Sequence, residues 1–322
     1  MAKHMLERGR IFIQAESEIA AIVMVFGASC AGVRAMTSSS SPGVSLKQEG
    51  ISYAAGADIP CVIVNISRGG PGLGNIAPAQ GDYFQATRGG GHGDYRCIVL
   101  APQSVQECAD LTYLAFDLAD QYRMPVIILA DGMIGQMIEG VILPPEKPVQ
   151  DIPKRNWTVG HMADSAAGDG TVRDSRHISS IYLDPPHLER LTAARFERYE
   201  VVKKNEMRFE SLDTDNADIV LVAYGTSARV SLGAKKLAEK EGIKVGLFRP
   251  ITLWPFPCEA LGKIAESGRP FLAVEMSFGQ MVEDLQLAVL SKAPVHFFGR
   301  SCGVIPTEEE VFAKIKQIVG RS

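Results

Sequence analysis

CVIVNISRGGPGLG, residues 61–74, is the stretch on which the fold turns. Its first part, 61–66, is apolar apart from Asn65. A short continuous apolar run is the pattern of a strand buried on both faces, as in a parallel sheet. The run ends in a loop holding Gly69, Gly70, Gly72 and Gly74. Without side chains, such a loop lets backbone approach a ligand closely. The spacing does not make the dinucleotide pattern G-x-G-x-x-G, because residue 75 is Asn and residue 77 is Ala. No amphipathic helix opens directly after it either, so a nicotinamide-binding fold is not expected.

The neighbouring sequence repeats the same rhythm. Strands are expected at 10–15, 33–38, 97–101 and 126–130, with helices at 18–31 and 105–123 between them. Ser104 and Glu107 form an S-x-x-E pattern that marks the second helix start. Alternating β and α elements imply an α/β fold, a parallel sheet wrapped by helices. From Pro144 to about residue 215 prolines break any regular element, 163–175 is polar, and a charged helix is expected at 186–205. This reads as a long connector. A second α/β unit follows, with strands expected at 219–224, 245–248, 271–274 and 295–298 and a capping box at Thr307 and Glu310. The expected division is 1–143, 144–215 and 216–322.

With 33 basic and 37 acidic residues the net charge is -4, which gives no support for a nucleic-acid partner or a membrane surface. No apolar run reaches bilayer-spanning length, and the first residues lack the apolar core of a secretory signal, so a cytoplasmic location is expected. Six cysteines include no C-x-x-C pair. Cys61 and Cys97 sit in apolar strands and read as core thiols. No iron–sulfur cluster and no metal site is expected on this chain.

Several residues carry chemistry. Glu16 and Glu18 lie where the first expected strand meets a helix, where acidic residues are favoured by the helix dipole alone. TSSSSPG, residues 37–43, reads as a hydroxyl-rich loop at the end of a strand. Open α/β sheets bind ligands at such ends. His92, within RGGGHGD, reads as a hydrogen-bonded turn residue, since no second His lies near it for metal binding. Gly168-Asp-Gly170 matches the start of a magnesium–diphosphate motif. No apolar strand precedes it, and the next Asn, Asn205, lies 35 residues beyond Gly170, so a surface turn is expected.

Taken together, QAESEIAA (14–21), TSSSSPG, RGGPGLG (68–74), GDYFQATRGGGHGDY (81–95) and ILADG (128–132) resemble the alpha subunit of 2-oxoacid:ferredoxin oxidoreductases. The wording is most similar to the 2-oxoisovalerate, branched-chain type. VAYGT (222–226) and FRPITLWP (248–255) resemble the transketolase C-terminal-like domain of the same subunits. The resemblance implies a pyrimidine-type thiamine-diphosphate-binding domain followed by that second domain. Family members begin with a further β-α unit carrying a Tyr-Pro-Ile-Thr-Pro-like loop, which the resemblance places before the start of this chain.

The resemblance also implies a shared site. Thiamine diphosphate would lie between this chain and a beta-type partner that carries the diphosphate and Mg2+ motif. Gamma-type and ferredoxin-like subunits would carry the iron–sulfur clusters, with a 2-oxoacid, coenzyme A and ferredoxin as substrates. Glu18 falls at the family position of the carboxylate that bonds the aminopyrimidine ring, the acid–base group of the reaction. Thr37, Ser38 and Ser39 fall on its cofactor-facing loop, and Arg68 at the position of the arginine facing the substrate carboxylate. Two rivals stand beside this reading: the beta-type subunit of a lipoamide-linked 2-oxoacid dehydrogenase, and a catalytically silent assembly subunit. A 2-oxoglutarate enzyme would need a cation for the distal carboxylate, for which Arg88, Lys47 and His92 are the candidates.

Overall fold

A computed structural model of the chain describes residues 2–144, 157–159 and 177–320. The opening residues form a short helix, α1 (Ala2–Glu7), and then run irregularly to α2 (Glu18–Cys30). The strand expected at 10–15 is absent. Ile11, Phe12 and Ile13 are exposed there, and among the described residues no neighbouring strand completes a ladder with them.

The first sheet begins with β1 (Met36–Ser40), which leads directly into α3 (Ser41–Gly56). The TSSSSPG segment is therefore not a loop. Its first four residues are strand and its last three open a helix, because Met36–Ser40 pairs in parallel register with β2 (Cys61–Ser67). Pro42 suits the first turn of α3, where its missing N–H would have had no partner. After β2 come α4 (Tyr83–Arg88), β3 (Ile98–Leu100), α5 (Val105–Tyr122), β4 (Pro125–Asp131) and α6 (Gly132–Gln136). Ser104 caps α5 by accepting from the Glu107 amide. Only half of the expected box forms, since the Glu107 carboxylate accepts from the Gln103 amide.

Helix α7 (Pro185–Asn205) buries Tyr199 and Val202 against the α5 side of the first sheet. Strand β5 (Phe209–Leu212), unexpected from the sequence, has exposed side chains and pairs antiparallel with β7 (Val245–Pro250). The second sheet is completed by β6 (Ile219–Val222), β7 (Val245–Pro250), β9 (Phe271–Glu275) and β10 (Val295–Gly299). Helices α8 (Gly225–Lys240), α9 (Cys258–Ala265), α10 (Met281–Val289) and α11 (Glu308–Val319) cover it, and the Thr307–Glu310 box that starts α11 is complete.

The two sheets are tied by β8 (Thr252–Trp254), which leaves β7 and adds an antiparallel edge to the first sheet. The orders are β1-β2-β4-β3-β8 and β10-β9-β6-β7-β5. One apolar core contains Ile63, Ile127 and Tyr83 from the first sheet's side and Val222, Tyr224 and Phe271 from the second. Cys61 and Cys97 are buried in it, as expected. Burial alone pushes the Cys61 thiol up to about 12, so it is an inert core group. The Gly168–Gly170 triplet and the polar stretch 163–175 lie outside the described residues.

Candidate functional site

In open α/β sheets ligands sit beyond the carboxyl ends of the strands. Parallel register brings three such ends together here. Ser40 lies opposite Ile66, Ile66 opposite Ala130, and Ser67 opposite Asp131. Ser39, Ser40, Ser67, Arg68 and Asp131 therefore emerge along one edge.

Glu18 reaches that edge through the packing of α2 on α3. It is the first residue of α2, whose amide ends are capped by Ser17 accepting from Ala20 N at 3.1 Å. Gly43, Lys47 and Gly50 recur at i, i+4 and i+7, so they share one face of α3. A Cβ on Gly50 would stand 2.5 Å from Ile22 Cγ2. One on Gly43 would stand 2.0 Å from Ser39 Oγ and 2.8 Å from Glu18 Oε1. The two glycines thus let α2 lie close, and the Glu18 carboxylate and Ser39 hydroxyl flank the same point above Gly43.

Between those glycines Lys47 is 1% exposed. Its Nζ donates to Thr37 Oγ1 at 2.7 Å and to Ser38 O at 3.1 Å. Burial pushes its pKa down, and the negative charge of Glu18 opposes that shift.

Arg68 follows β2. Its amide donates to Ser41 Oγ at 3.0 Å, which ties it to the first turn of α3. Ser41 in turn donates to Asp82 Oδ2 at 2.6 Å, and Asn65 Nδ2 donates to the same oxygen at 2.9 Å. The guanidinium has one partner, Asn75 O at 3.0 Å, and among the described residues no carboxylate pairs with it. The glycine loop is closed on itself by Gly69 N to Ala77 O and Asn75 N to Gly69 O, both at 2.9 Å. Gly74 is obligatory there: its φ is +55 and a Cβ would fall 1.7 Å from Gly69 O. The second unit backs this loop, with Asn75 Nδ2 donating to Cys302 O at 2.7 Å.

Three buried polar atoms at this strand end, Asn65 Oδ1, Ser67 Oγ and Arg68 Nε, have no hydrogen-bond partner among the described residues. Each such atom costs about 1–3 kcal/mol if left unpaired, which suits a place where a polar ligand docks. The edge therefore offers a carboxylate at a helix N-terminus, a row of hydroxyls and a cation without a carboxylate.

Sequence reasoning named Glu18, Thr37, Ser38, Ser39 and Arg68, and all five lie around the start of α3. Glu18 and Ser39 both flank Gly43, Thr37 and Ser38 join through Lys47, and Arg68 joins through Ser41. The Ser38 side chain itself is exposed. Glu16 is also exposed, ahead of the cap. His92 stands apart, exposed, in a cleft with Ser52, Tyr53 and α7. The structural parts played by Lys47, Ser41 and Asp82 were missed. The G-x-x-x-K-x-x-G spacing of 43–50 was the available signal for Lys47.

Residues 1–207 match the family described as pyruvate flavodoxin/ferredoxin oxidoreductase, thiamine diphosphate-binding. Residues 217–311 match pyruvate:ferredoxin oxidoreductase core domain II. The chain is 51% identical over 314 residues to the ketoisovalerate oxidoreductase subunit VorB of Methanothermobacter marburgensis, covering 98% of this chain and 86% of that protein. It is 37% identical to the 2-oxoglutarate synthase subunit KorA of the same organism, over 95% of this chain and 86% of that one. Among solved structures, a 2-oxoglutarate:ferredoxin oxidoreductase from Magnetococcus marinus superposes with a TM-score of 0.78 at 25% identity; it covers 99% of this chain, which spans 59% of that longer chain. A split-gene transketolase superposes at 0.56 with 14% identity, over 97% of this chain and 85% of that one, a likeness of fold alone.

The residues present fit the cofactor of that family. Gly43 leaves open a cradle that a Cβ would fill, with Glu18 and Ser39 beside it, and unpaired buried polar atoms stand at the end of β2. With a matching family over most of its length and a relative at 51% identity, the chain belongs to the 2-oxoacid:ferredoxin oxidoreductases, as an alpha-type subunit built on a thiamine-diphosphate-binding domain.

Proposed function

We propose that this chain serves a branched-chain enzyme, one that oxidatively decarboxylates 2-oxoisovalerate to an acyl-CoA and passes the electrons to ferredoxin. Glu18, Thr37, Ser38 and Ser39 face the aminopyrimidine of thiamine diphosphate, and Arg68 receives the substrate carboxylate. The observation that carries this reading is Arg68, whose backbone amide is tied to the first turn of α3 and whose guanidinium, bonded to Asn75 O, lacks a carboxylate partner among the described residues.

When bound, thiamine diphosphate supplies the carbon that adds to the 2-oxo group and accepts the electron pair released with CO2. Glu18 holds a proton at the ring nitrogen from the first turn of α2. Arg68 orients the 2-oxoacid by a charge-assisted hydrogen bond. A beta-type partner holds the diphosphate and Mg2+, and gamma-type and ferredoxin-like subunits carry the iron–sulfur clusters.

The substrate class rests on two supports. Identity is higher to the ketoisovalerate subunit, 51%, than to the 2-oxoglutarate synthase subunit, 37%. Two of the cations considered for a distal carboxylate are also otherwise engaged, and the third stands apart. Arg88 pairs with Asp284 at 3.1 Å, Lys47 is held by Thr37 and Ser38, and His92 is exposed in the α7 cleft.

The test is co-expression with the partner subunits and assay of CoA-dependent ferredoxin reduction. 2-Oxoisovalerate should exceed 2-oxoglutarate in kcat/KM by at least about tenfold. Preference for 2-oxoglutarate would overturn the substrate assignment, and turnover with lipoamide in place of ferredoxin would overturn the enzyme class.

A further inference from the structure

Lys47 is a buried ammonium for which neither the fold nor the proposed chemistry has yet given a reason. An ammonium taken out of water costs several kcal/mol unless it is paired. Here the two partners are neutral oxygens, Thr37 Oγ1 and Ser38 O, and no described carboxylate lies within ion-pair distance. A purely structural core would do better with an apolar side chain of the same length.

Its surroundings give the reason. Lys47 lies one turn beyond Gly43 on the face of α3 that meets α2, and Gly43 is where Glu18 and Ser39 converge. From α2 the charged group facing it is Glu18, whose charge acts on the ammonium. From β1 it meets hydroxyl and carbonyl oxygens. On α3 itself, Glu49 is exposed and accepts from Tyr53 Oη at 2.5 Å, and Asp82 at the head of α4 is held by Ser41 and Asn65.

We propose that Lys47 is a positioning residue for Glu18: its ammonium pins β1 at Thr37 and Ser38 and sets the electrostatic environment in which the Glu18 carboxylate meets the cofactor ring. The proposal rests on Glu18 being the cofactor-facing carboxylate. It adds that Glu18 works only above a fixed cation.

The experiment is a double-mutant cycle in the complex assembled with its partner subunits, comparing parent, Lys47→Met, Glu18→Gln and the double variant. The readouts are thiamine diphosphate affinity by calorimetric titration, hydrogen–deuterium exchange at C2 of the bound cofactor without substrate, and melting temperature. Lys47→Met should slow exchange about tenfold or more, yet slow it little further in the Glu18→Gln background, because coupled residues are non-additive. It should melt no lower than the parent, whereas loss of a merely structural lysine would lower melting. Lys47→Arg, which keeps the charge, should recover part of the exchange rate. Should Lys47→Met not assemble, Thr37→Val frees the ammonium from one oxygen and should slow exchange in the same direction by a smaller factor. Equal slowing in both backgrounds, or parent-like exchange in Lys47→Met and Thr37→Val, would overturn the role of Lys47 and leave Glu18 in place. Parent-like exchange in Glu18→Gln would overturn both.

Discussion

The guanidinium of Arg249, on β7 of the second sheet, grips the carboxylate of Glu107 at the head of α5, with Nη2–Oε1 at 2.7 Å and Nη1–Oε2 at 3.0 Å. Arg249 is buried, and its Nε donates to Glu210 on β5 at 2.9 Å. One side chain therefore joins the edge strand of the second sheet to a helix of the first. Gln80 makes a parallel tie: its side chain donates to Tyr224 O at 2.9 Å and accepts from Ser227 Oγ and Met276 N, both at 2.9 Å. Asp131 completes it by accepting from the hydroxyl and amide of Thr226 at 2.6 and 3.0 Å. The carboxyl edge of the first sheet is thereby braced against the second unit.

Glu107→Ala should destabilise the chain by about 3–5 kcal/mol, since it leaves Arg249 buried with one partner and also uncovers the Gln103 amide. Chemical denaturation of the parent and variant measures this. Glu210→Ala, which removes an exposed partner, should cost no more than about 1 kcal/mol. Equal costs for the two would contradict the clamp.

Gly43→Ala should disturb the site more than the fold. Its methyl would overlap Ser39 Oγ and crowd Glu18, both flexible side chains that can turn aside. Thiamine diphosphate affinity of the assembled complex should fall about tenfold or more, as expected when a positioned group moves by an ångström. Circular dichroism should keep its parent form. Unchanged affinity would mean that Glu18 and Ser39 do not form the cofactor surface.

Arg68→Ala should lower kcat/KM for the 2-oxoacid by about ten- to a hundredfold, the worth of a charge-assisted hydrogen bond of roughly 1.5–3 kcal/mol. Cofactor affinity should change little. A loss confined to cofactor binding would move Arg68 from the substrate to the cofactor.

Glu18→Gln keeps size and polarity but cannot exchange a proton with the ring. C2 exchange should slow by roughly 10²–10⁴, the usual range for removing an acid–base group. A residue serving only the α2 dipole would cost at most about 1 kcal/mol of stability and leave exchange unaltered.

Lys47 predicts a pH dependence of stability. Burial lowers its folded pKa, so the folded state disfavours the charged form. Above the unfolded lysine value, about 10.4, both states are neutral and no penalty applies. As pH falls through that value the unfolded chain takes up the proton first, and stability is lost until the folded pKa is passed. Lys47→Met does not titrate. Its melting temperature relative to the parent should therefore rise as pH drops from about 10.5 to 7. A constant difference across that range would contradict the lowered pKa.

Much of this architecture was legible in local sequence. The apolar run at 61–66 became β2, Ser104 capped α5, and Thr307 with Glu310 formed a full capping box. These features depend on a few neighbouring residues, which local propensity and capping chemistry govern. Motif wording also pointed to Glu18 and Arg68, because each lies in a long, specific pattern.

Only tertiary structure decided the rest. The apolar residues 11–13 look like a strand but have no edge to pair with, whereas serine-rich 37–40 is a strand because β2 lies beside it. β8 belongs to the first sheet although it follows β7 of the second by a single residue, Ile251. Pairing partners are remote in sequence, so no local pattern reports them. The same holds for the site: Glu18 comes beside Ser39 at Gly43, one turn from Lys47, because Gly43 and Gly50 let two helices approach, and that distance is set by packing between segments and not by either segment alone.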